Sequence, residues 1–334
     1  MIGSRIRTRS AVIATVAAAV LLAACSSTGG KQNADKQTGV PAGKASTARI
    51  TIAMITHAVP GDTFWNIIRK GATAAAQKDN IDFQYYNDPD ATKEAQLIQA
   101  AIDKKVDGIA VTDPDTPALS AEIKKAVAAG IPVSMFNAGG PDALGLGAIG
   151  YFGQSEVSAG IAAGKKIVAA GGKNILCVIQ TQGQQQLVDR CNGVKTGASG
   201  AKVTSIYVNG ADDSAVSTGI QAKLTQDKSI DWVLTLAAPI ALDAVKSVKN
   251  AGSSAKIGTF DTNKELVSAI QGGSIAFAID QQPYLQGYEA LDSIWLYINN
   301  GNTLGGGQPV ATGPAFIDNS NIAAVAKYAA NGTR

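Results

Sequence analysis

A short run, Asp62-Thr63-Phe64-Trp65, places a carboxylate beside two large aromatic side chains. Aromatic rings can stack on the apolar face of a cyclic ligand, while a carboxylate accepts hydrogen bonds from hydroxyl groups around its rim. The same residues have simpler uses, since Asp62 can cap the helix that follows and both rings can pack in a core. In a cleft, this combination would bind a polyhydroxy ring without covalent chemistry.

Motifs for cofactor, metal or covalent chemistry are weak or missing. Gly145–Gly150 matches the GxGxxG pattern of dinucleotide sites, but it precedes a short apolar run instead of opening a helix. His57 is the only histidine, and no CxxC, HExxH or GxSxG pattern occurs. A zinc site or an acid–base pair built on histidine would need more of these residues. We therefore expect no metal, no cofactor and no catalytic residues, and we do not expect an enzyme.

The first 24 residues have the features of a secretory signal peptide. Three arginines precede the apolar run Ala11–Ala24, which is shorter than a bilayer-spanning helix of roughly 20 apolar residues. Cys25 directly follows Leu-Ala-Ala, a pattern that resembles the lipobox of bacterial lipoproteins. The resemblance implies cleavage before Cys25 and a lipid on its sulfur, and a simple cleaved signal is the alternative. Residues 25–48 are mostly polar, so we expect a flexible tether.

Cys177 and Cys191 are the two cysteines that remain once Cys25 is assigned to the lipid. An even pair in an exported protein favours a disulfide, and two buried free thiols are the alternative. In the chain-entropy model, closing a loop of this length would stabilise the protein by roughly 3 kcal/mol.

The charge balance excludes one class of partner. Removal of residues 1–24 takes away three arginines and leaves 26 basic against 26 acidic side chains. A chain without excess positive charge lacks the basic face that nucleic-acid binding needs, so we expect no nucleic-acid partner.

From Arg49 onward, short apolar runs alternate with longer stretches of helical period. The runs are apolar throughout, as in strands of a parallel sheet that is covered on both faces. The predicted strands are Ile50–Ile55, Ile81–Tyr86, Gly108–Val111, Pro132–Phe136, Ala148–Phe152, Ile175–Ile179, Val203–Val208, Trp232–Leu236, Lys256–Phe260 and Ile275–Ile279. The predicted helices include Trp65–Lys78, Ala91–Lys104, Leu119–Ala129, Glu156–Ala169, Leu187–Ala198, Ala215–Gln226 and Ile240–Asn250.

These units are too many for one sheet of usual size, and a break is visible. The segment Gly139–Gly153 is rich in glycine and has no helical pattern. We place the first passage to a second domain just after it. The predicted fold class is therefore α/β, with two doubly wound domains and a ligand cleft at the carboxyl ends of their strands.

Several segments together resemble the ribose-type periplasmic sugar-binding proteins. They are Ile50–His57, Asp62–Trp65, Gly108–Pro114, Ala129–Val133, Tyr151–Gln154, Ile257–Asp261 and Asp280–Gly287. The resemblance covers residues 49 to about 320. It implies a monomeric solute-binding protein of a bacterial ABC transporter, with two Rossmann-like domains around a three-stranded hinge.

The resemblance also implies the course of the chain. Crossovers near Gln154, Gln281 and Thr312 would assign residues 49–153 and 282–312 to the N-terminal lobe. Residues 154–281 and 313–334 would then form the C-terminal lobe.

Four ligand contacts are implied by the family pattern. They are His57 just past the first strand, Arg190 in the segment Leu187–Gly193, and Asp261 and Gln281 at the ends of two later strands. A guanidinium can clamp neighbouring hydroxyl groups, and a carboxylate makes strong charge-assisted hydrogen bonds. A loop histidine and a solvated surface arginine are the alternatives. The predicted ligand site consists of His57, Asp62, Phe64, Trp65, Asn137, Arg190, Asp261 and Gln281.

Two departures from the family pattern concern the ligand. Asn137-Ala138 stands where the family commonly has an acid and an arginine, and Ala237-Ala238-Pro239 stands where relatives carry Asn-Asp. The amide of Asn137 can donate and accept, but the second change removes partners for ligand hydroxyl groups. We therefore expect a small sugar alcohol or a differently hydroxylated sugar in place of ribose.

The expected function is capture of a small sugar or sugar alcohol by closure of two lobes, for delivery to an ABC permease. A receptor of the same fold that feeds a signalling partner is the alternative. The protein would be exported and held by its N-terminal lipid on the outer face of the cytoplasmic membrane, or in the periplasm of a cell with two membranes.

Overall fold

The computed structural model describes residues 44–59 and 62–334. The predicted signal peptide, Cys25 and most of the predicted tether lie outside this range. Within it, no helix is both long enough and apolar enough to span a bilayer.

Two six-stranded sheets form the cores of two lobes. The first sheet contains β1 (Ile50–Thr56), β2 (Ile81–Asn87), β3 (Gly108–Val111), β4 (Val133–Phe136), β5 (Gly150–Gly153) and β11 (Val310–Ala311). The second contains β6 (Asn174–Ile179), β7 (Lys202–Tyr207), β8 (Trp232–Thr235), β9 (Lys256–Phe260), β10 (Phe277–Asp280) and β12 (Ala315–Ile317). Their spatial orders are β11-β5-β4-β3-β1-β2 and β12-β10-β9-β8-β6-β7. All neighbouring strands are parallel except β10 and β12.

Helices connect and cover the strands in both lobes. The first lobe, which is built on the first sheet, has α1 (Thr63–Asp79), α2 (Ala91–Asp103), α3 (Thr116–Ala128) and α9 (Pro283–Asn300). The second lobe has α4 (Glu156–Ala169), α5 (Gln185–Gly197), α6 (Asp213–Gln226), α7 (Ala238–Asn250), α8 (Lys264–Gln271) and α10 (Ile322–Ala330). This arrangement confirms the predicted α/β class.

Burial explains why the strands could be recognised in the sequence. The interior strands β3, β4, β5, β6, β8 and β10 are buried along their whole length. Since both faces of such strands are covered, their sequences are apolar throughout. By contrast, β11 and β12 have two and three residues and are too short to show a pattern.

The chain passes between the two sheets three times in the described part. These passages lie between β5 and α4, between β10 and α9, and between β11 and β12. At the other end of the first lobe, the backbone N–H of Ala45 donates to the carbonyl of Lys78 at 2.8 Å. Trp295 Nε1 donates to Thr47 Oγ1 at 3.1 Å. The last residues of the predicted tether therefore pack on α1 and α9.

Glycines bring α4 and α5 into backbone contact. A Cβ atom on Gly160 would lie 2.1 Å from the carbonyl oxygen of Arg190, and one on Gly193 would lie 2.3 Å from that of Val157. A disulfide joins Cys177 on β6 to Cys191 on α5, with 5.9 Å between their Cα atoms, and this confirms the predicted pairing. Helix α5 is thus fixed to both α4 and the second sheet.

Candidate functional site

A cavity of about 190 Å³ lies between the two lobes. Its lining residues follow β1, β4, β6, β8, β9 and β10, so it opens at the carboxyl ends of both sheets. All predicted ligand residues line it, namely His57, Asp62, Phe64, Trp65, Asn137, Arg190, Asp261 and Gln281. The structure thus brings together residues from distant parts of the chain, while their contact with a ligand stays a prediction.

The start of α1 forms one wall of the cavity. Asp62 caps this helix, because its Oδ1 accepts a hydrogen bond from the backbone N–H of Phe64 at 3.0 Å. The Phe64 and Trp65 rings meet edge to face with their centroids 5.3 Å apart. Both rings belong to the buried core of the first lobe and also line the cavity. The two alternative uses of this run therefore occur together.

His57 follows β1 and is bonded to protein through both ring nitrogens. Its Nδ1 lies 2.8 Å from Thr112 Oγ1, and its Nε2 lies 3.0 Å from Gln186 Nε2. Burial, assisted by the nearby charge of Arg190, lowers the pKa of His57 to about 3. His57 is therefore neutral at physiological pH. Because Thr112 and Gln186 occupy its two nitrogens, the ring has only carbon atoms left for the cavity.

A network of amides connects the lobes at the passages between them. Asn137 Nδ2 lies 3.3 Å from Gln281 Oε1 and 3.2 Å from Gln286 Oε1. Gln281 Nε2 donates to Asp261 Oδ1 at 2.8 Å. Gln286 Nε2 donates to Thr312 Oγ1 at 3.1 Å, so the network also reaches the third passage. The predicted site residues Asn137, Gln281 and Asp261 are thus held in one hydrogen-bonded chain.

Asn137 and Asp261 occupy equivalent corners of the two lobes. Each follows the fourth strand of its sheet, and each has a φ angle of 64°. The N–H of Asn137 donates to the carbonyl of Phe152 at 3.0 Å, and that of Asp261 donates to the carbonyl of Ile279 at 2.8 Å. Asn and Asp tolerate left-handed backbone better than other side chains, and such conformations concentrate at functional sites.

Arg190 is buried, which excludes the alternative of a solvated surface arginine. Its Nε and Nη2 bond the two Glu156 oxygens at 2.6 and 3.0 Å, and Nη1 donates to the carbonyl of Leu236 at 3.0 Å. The guanidinium carbon also lies 4.5 Å from the centre of the Phe260 ring. A guanidinium has five N–H groups, and two of them have no bond to residues 44–59 and 62–334, so they are available to a ligand.

Acidic groups outnumber basic ones around the cavity. Burial raises the pKa of Asp261 to about 7, although Arg190 and the Gln281 hydrogen bond act in the opposite direction. Burial also raises the pKa of Asp62. Among residues 44–59 and 62–334, no cluster of three or more His, Cys, Asp or Glu side chains could hold a metal ion. This surplus of acceptors suits a ligand rich in hydroxyl donors.

Several glutamines of the second lobe also line the cavity and were not predicted. Gln180, Gln184 and Gln186 line the cavity and come from the segment Gln180–Gln186, which follows β6 directly. Five glutamines in seven residues at the carboxyl end of a strand were the available signal. Ala237 and Pro239 also line the cavity from the second lobe, so the wall that follows β8 is apolar as predicted.

The two lobes are in direct contact across the cleft. Gln186 bonds His57, and the backbone N–H of Gln185 donates to the carbonyl of Pro114 at 3.0 Å. These bonds join the start of α5 to loops of the first lobe. The structure therefore represents a closed arrangement.

Comparison with known proteins gives matches over most of the chain. Residues 52–303 match the model of the periplasmic binding protein domain. The xylose/arabinose-binding protein XylF of Sulfolobus acidocaldarius is 29% identical over 250 residues, which are 70% of this chain and 62% of that protein. The chain thus spans less than two thirds of this relative's length.

Solved structures show the same fold. A carbohydrate transporter from Acidothermus cellulolyticus 11B, in complex with myo-inositol, is 60% identical with a TM-score of 0.85, and the match covers 86% of this chain and 100% of that one. A periplasmic sugar binding protein of an ABC transporter from Legionella pneumophila is 23% identical with a TM-score of 0.73, covering 79% and 99%. The family match over residues 52–303 shows that this chain belongs to the periplasmic binding proteins, whose members are exported solute-binding proteins and not enzymes.

Proposed function

We propose that this protein is the solute-binding receptor of an ABC importer and that its solute is a cyclitol of the myo-inositol type. The observation that carries the proposal is the 60% identity to the Acidothermus cellulolyticus transporter that was solved with myo-inositol. The match covers that chain completely, so it includes the residues that surround its ligand.

The chemistry of the cavity supports this solute class. A cyclitol of the inositol type has a hydroxyl group on every ring carbon, and each hydroxyl both donates and accepts. The Asp62 and Asp261 carboxyl groups supply acceptors, and the two N–H groups of Arg190 that have no bond within the described part of the chain supply donors. Phe64 and Trp65 offer apolar surface for the C–H faces of the ring.

Capture would proceed by closure of the lobes. His57, Asp62, Phe64, Trp65 and Asn137 belong to the first lobe, and Arg190 and Asp261 belong to the second. A ligand that contacts both sets binds the closed arrangement better than an open one, and only such a ligand shifts the equilibrium. The closed form would then be delivered to the permease.

Thermal unfolding of residues 44–334 against a panel of inositols, pentitols, pentoses and hexoses tests the proposed solute. At about 100 times the dissociation constant, a ligand should add about 2.7 kcal/mol to the free energy of unfolding. We expect this stabilisation with myo-inositol and a much smaller one with hexoses. A flat response across the panel would contradict the proposal. A solute that is bound but not taken up by cells would favour the signalling alternative.

The proposal extends to the attachment of the protein at the membrane through Cys25, which follows Leu-Ala-Ala. Replacement of Cys25 by Ser is expected to release the protein from membranes into the soluble extracytoplasmic fraction. Mass spectrometry of the wild-type N-terminus should find a lipid on this residue. Equal membrane retention of the two proteins would contradict the anchor.

A further inference from the structure

A line of four buried side chains runs from the interior of the first lobe to the second lobe. Thr112 Oγ1 lies 2.7 Å from Glu94 Oε1, His57 Nδ1 lies 2.8 Å from Thr112 Oγ1, and Gln186 Nε2 lies 3.0 Å from His57 Nε2. Glu94 and Thr112 are completely buried, and His57 and Gln186 are 3% and 7% exposed. Glu94 lies on α2 and does not line the ligand cavity, so neither the fold pattern nor the ligand site accounts for an acid there.

The donors and acceptors fix the direction in which each hydrogen bond of this line is donated. Gln186 Nε2 faces both His57 Nε2, at 3.0 Å, and Gln184 Oε1, at 3.2 Å. The bond to the Gln184 oxygen sets this amide with its N–H groups toward His57, so His57 Nε2 is an unprotonated acceptor. A neutral imidazole then carries its proton on Nδ1 and donates it to Thr112. The backbone N–H of His57 also donates to Thr112 Oγ1, at 3.2 Å. With both lone pairs occupied, the Thr112 hydroxyl has its proton left for Glu94.

Burial keeps both titratable groups of this line, His57 and Glu94, uncharged. It lowers the pKa of His57 to about 3, with a smaller contribution from Arg190. It also raises the pKa of Glu94, and the nearby Asp113 and Asp88 act in the same direction. A neutral line can cross the interface between the lobes without the cost of desolvating an ion.

We propose that Glu94 and Thr112 are positioning residues that hold His57 in the Nδ1–H tautomer, so that its bare Nε2 accepts the Gln186 amide and fastens the closed lobes. In the opposite tautomer, an Nε2–H group would face the Gln186 N–H group. Two donors would then oppose each other at a buried interface. Turning the Gln186 amide over would instead place its oxygen against Gln184 Oε1, so a hydrogen bond would be lost in either orientation. The proposal rests on the proposed function only where ligand affinity is used as a readout.

The single histidine of the chain makes the tautomer directly measurable. Nitrogen NMR of the purified protein labelled with 15N-histidine gives the signals of His57 alone. We expect an Nδ1–H tautomer in the wild type. In E94M the Thr112 hydroxyl loses its acceptor and is free to donate to Nδ1, so we expect a shift to Nε2–H. In E94Q an acceptor oxygen of the same reach remains, so we expect Nδ1–H and near-wild-type affinity for myo-inositol.

Replacement of Gln186 separates the positioning of His57 from the contact between the lobes. In Q186M we expect His57 to stay in the Nδ1–H form, because Glu94 and Thr112 are intact, while its Nε2 resonance moves. Affinity for myo-inositol should fall about tenfold in Q186M and in E94M, as expected for one lost hydrogen bond.

Three results would overturn the proposal. They are an Nε2–H tautomer in the wild type, the same tautomer in E94Q and E94M, and, in protein saturated with myo-inositol, an Nε2 chemical shift that is the same in Q186M and in the wild type. Thermal unfolding of each variant confirms that it is folded. Because Glu94 and Thr112 set the tautomer of His57 within the first lobe, it can be measured without ligand and in an open form. A failure of myo-inositol to bind would therefore count against the proposed function and leave the tautomer result to decide this inference.

Discussion

Replacement of Asp261 by Asn is expected to weaken myo-inositol binding by about 10- to 100-fold, because a charge-assisted hydrogen bond is lost. Asn keeps the shape of the side chain and tolerates the φ angle of 64° at this position, so the backbone is preserved. Isothermal titration calorimetry measures the change. D213N is a matched control, since Asp213 also lines the cavity but is exposed at the start of α6. Equal affinities of D261N and the wild type would contradict the assignment.

The same substitution has a predicted signature in pH. Asp261 has a pKa of about 7 in the protein without ligand, and ligand hydroxyl groups favour its charged form. Wild-type affinity should therefore rise as the pH increases through 7, whereas the affinity of D261N should not follow this curve.

Without ligand, the free energy of unfolding has the opposite dependence on pH. The unfolded chain ionises at the ordinary value of 3.8 while the folded protein keeps the proton, so stability falls from about pH 4 to 7. D261N should lack this contribution to the loss.

Replacement of Arg190 by Met is expected to lower the free energy of unfolding by about 3–5 kcal/mol and to abolish measurable ligand binding. The stability loss follows because Glu156, which Arg190 holds through Nε and Nη2, would remain as a buried and unpaired carboxylate. Urea unfolding measures this change. R49M is the matched control, since Arg49 pairs with Asp82 at the surface, where such pairs contribute about 0–1 kcal/mol.

A second substitution separates the two roles of Arg190. Adding E156Q to R190M removes the unpaired charge, so most of the lost stability should return while ligand binding does not. The double-mutant cycle then gives the coupling between the two residues. Recovery of binding in the double variant would show that Arg190 serves the ion pair alone. A stability loss no larger than that of R49M would show that the ion pair contributes little.

The residues at strand ends were predictable, and their hydrogen-bond partners were not. Asn137 and Asp261 follow apolar strands, and parallel sheets bring such ends together at one edge. The bonds of Asn137 with Gln281 and Gln286 span 144 and 149 residues. They depend on the orientation of the lobes, which no local pattern encodes. Part of the cavity lining was therefore predictable from the sequence, whereas the hydrogen bonds of the Gln281 amide with Asn137 and Asp261 were not.

Glu94 and Gln186 illustrate a different limit. Both lie in helices whose periodicity is explained by packing, and a polar residue in a helix is by default assigned to the solvent face. Glu94 is instead completely buried, because Thr112 supplies a partner from the end of β3. Only the packed structure shows that Gln186 contacts one ring nitrogen of His57 while Glu94 reaches the other through Thr112.

The backbone contact between α4 and α5 has a mechanical consequence. Helix α4 begins directly after the first passage between the lobes, and α5 carries Gln186 and Arg190 into the cleft. Because no side chain separates Gly160 from Arg190 or Gly193 from Val157, the backbones of the two helices pack directly against each other. The two helices therefore move as one rigid unit. A rotation at the passage is therefore transmitted in full to the residues that meet the ligand.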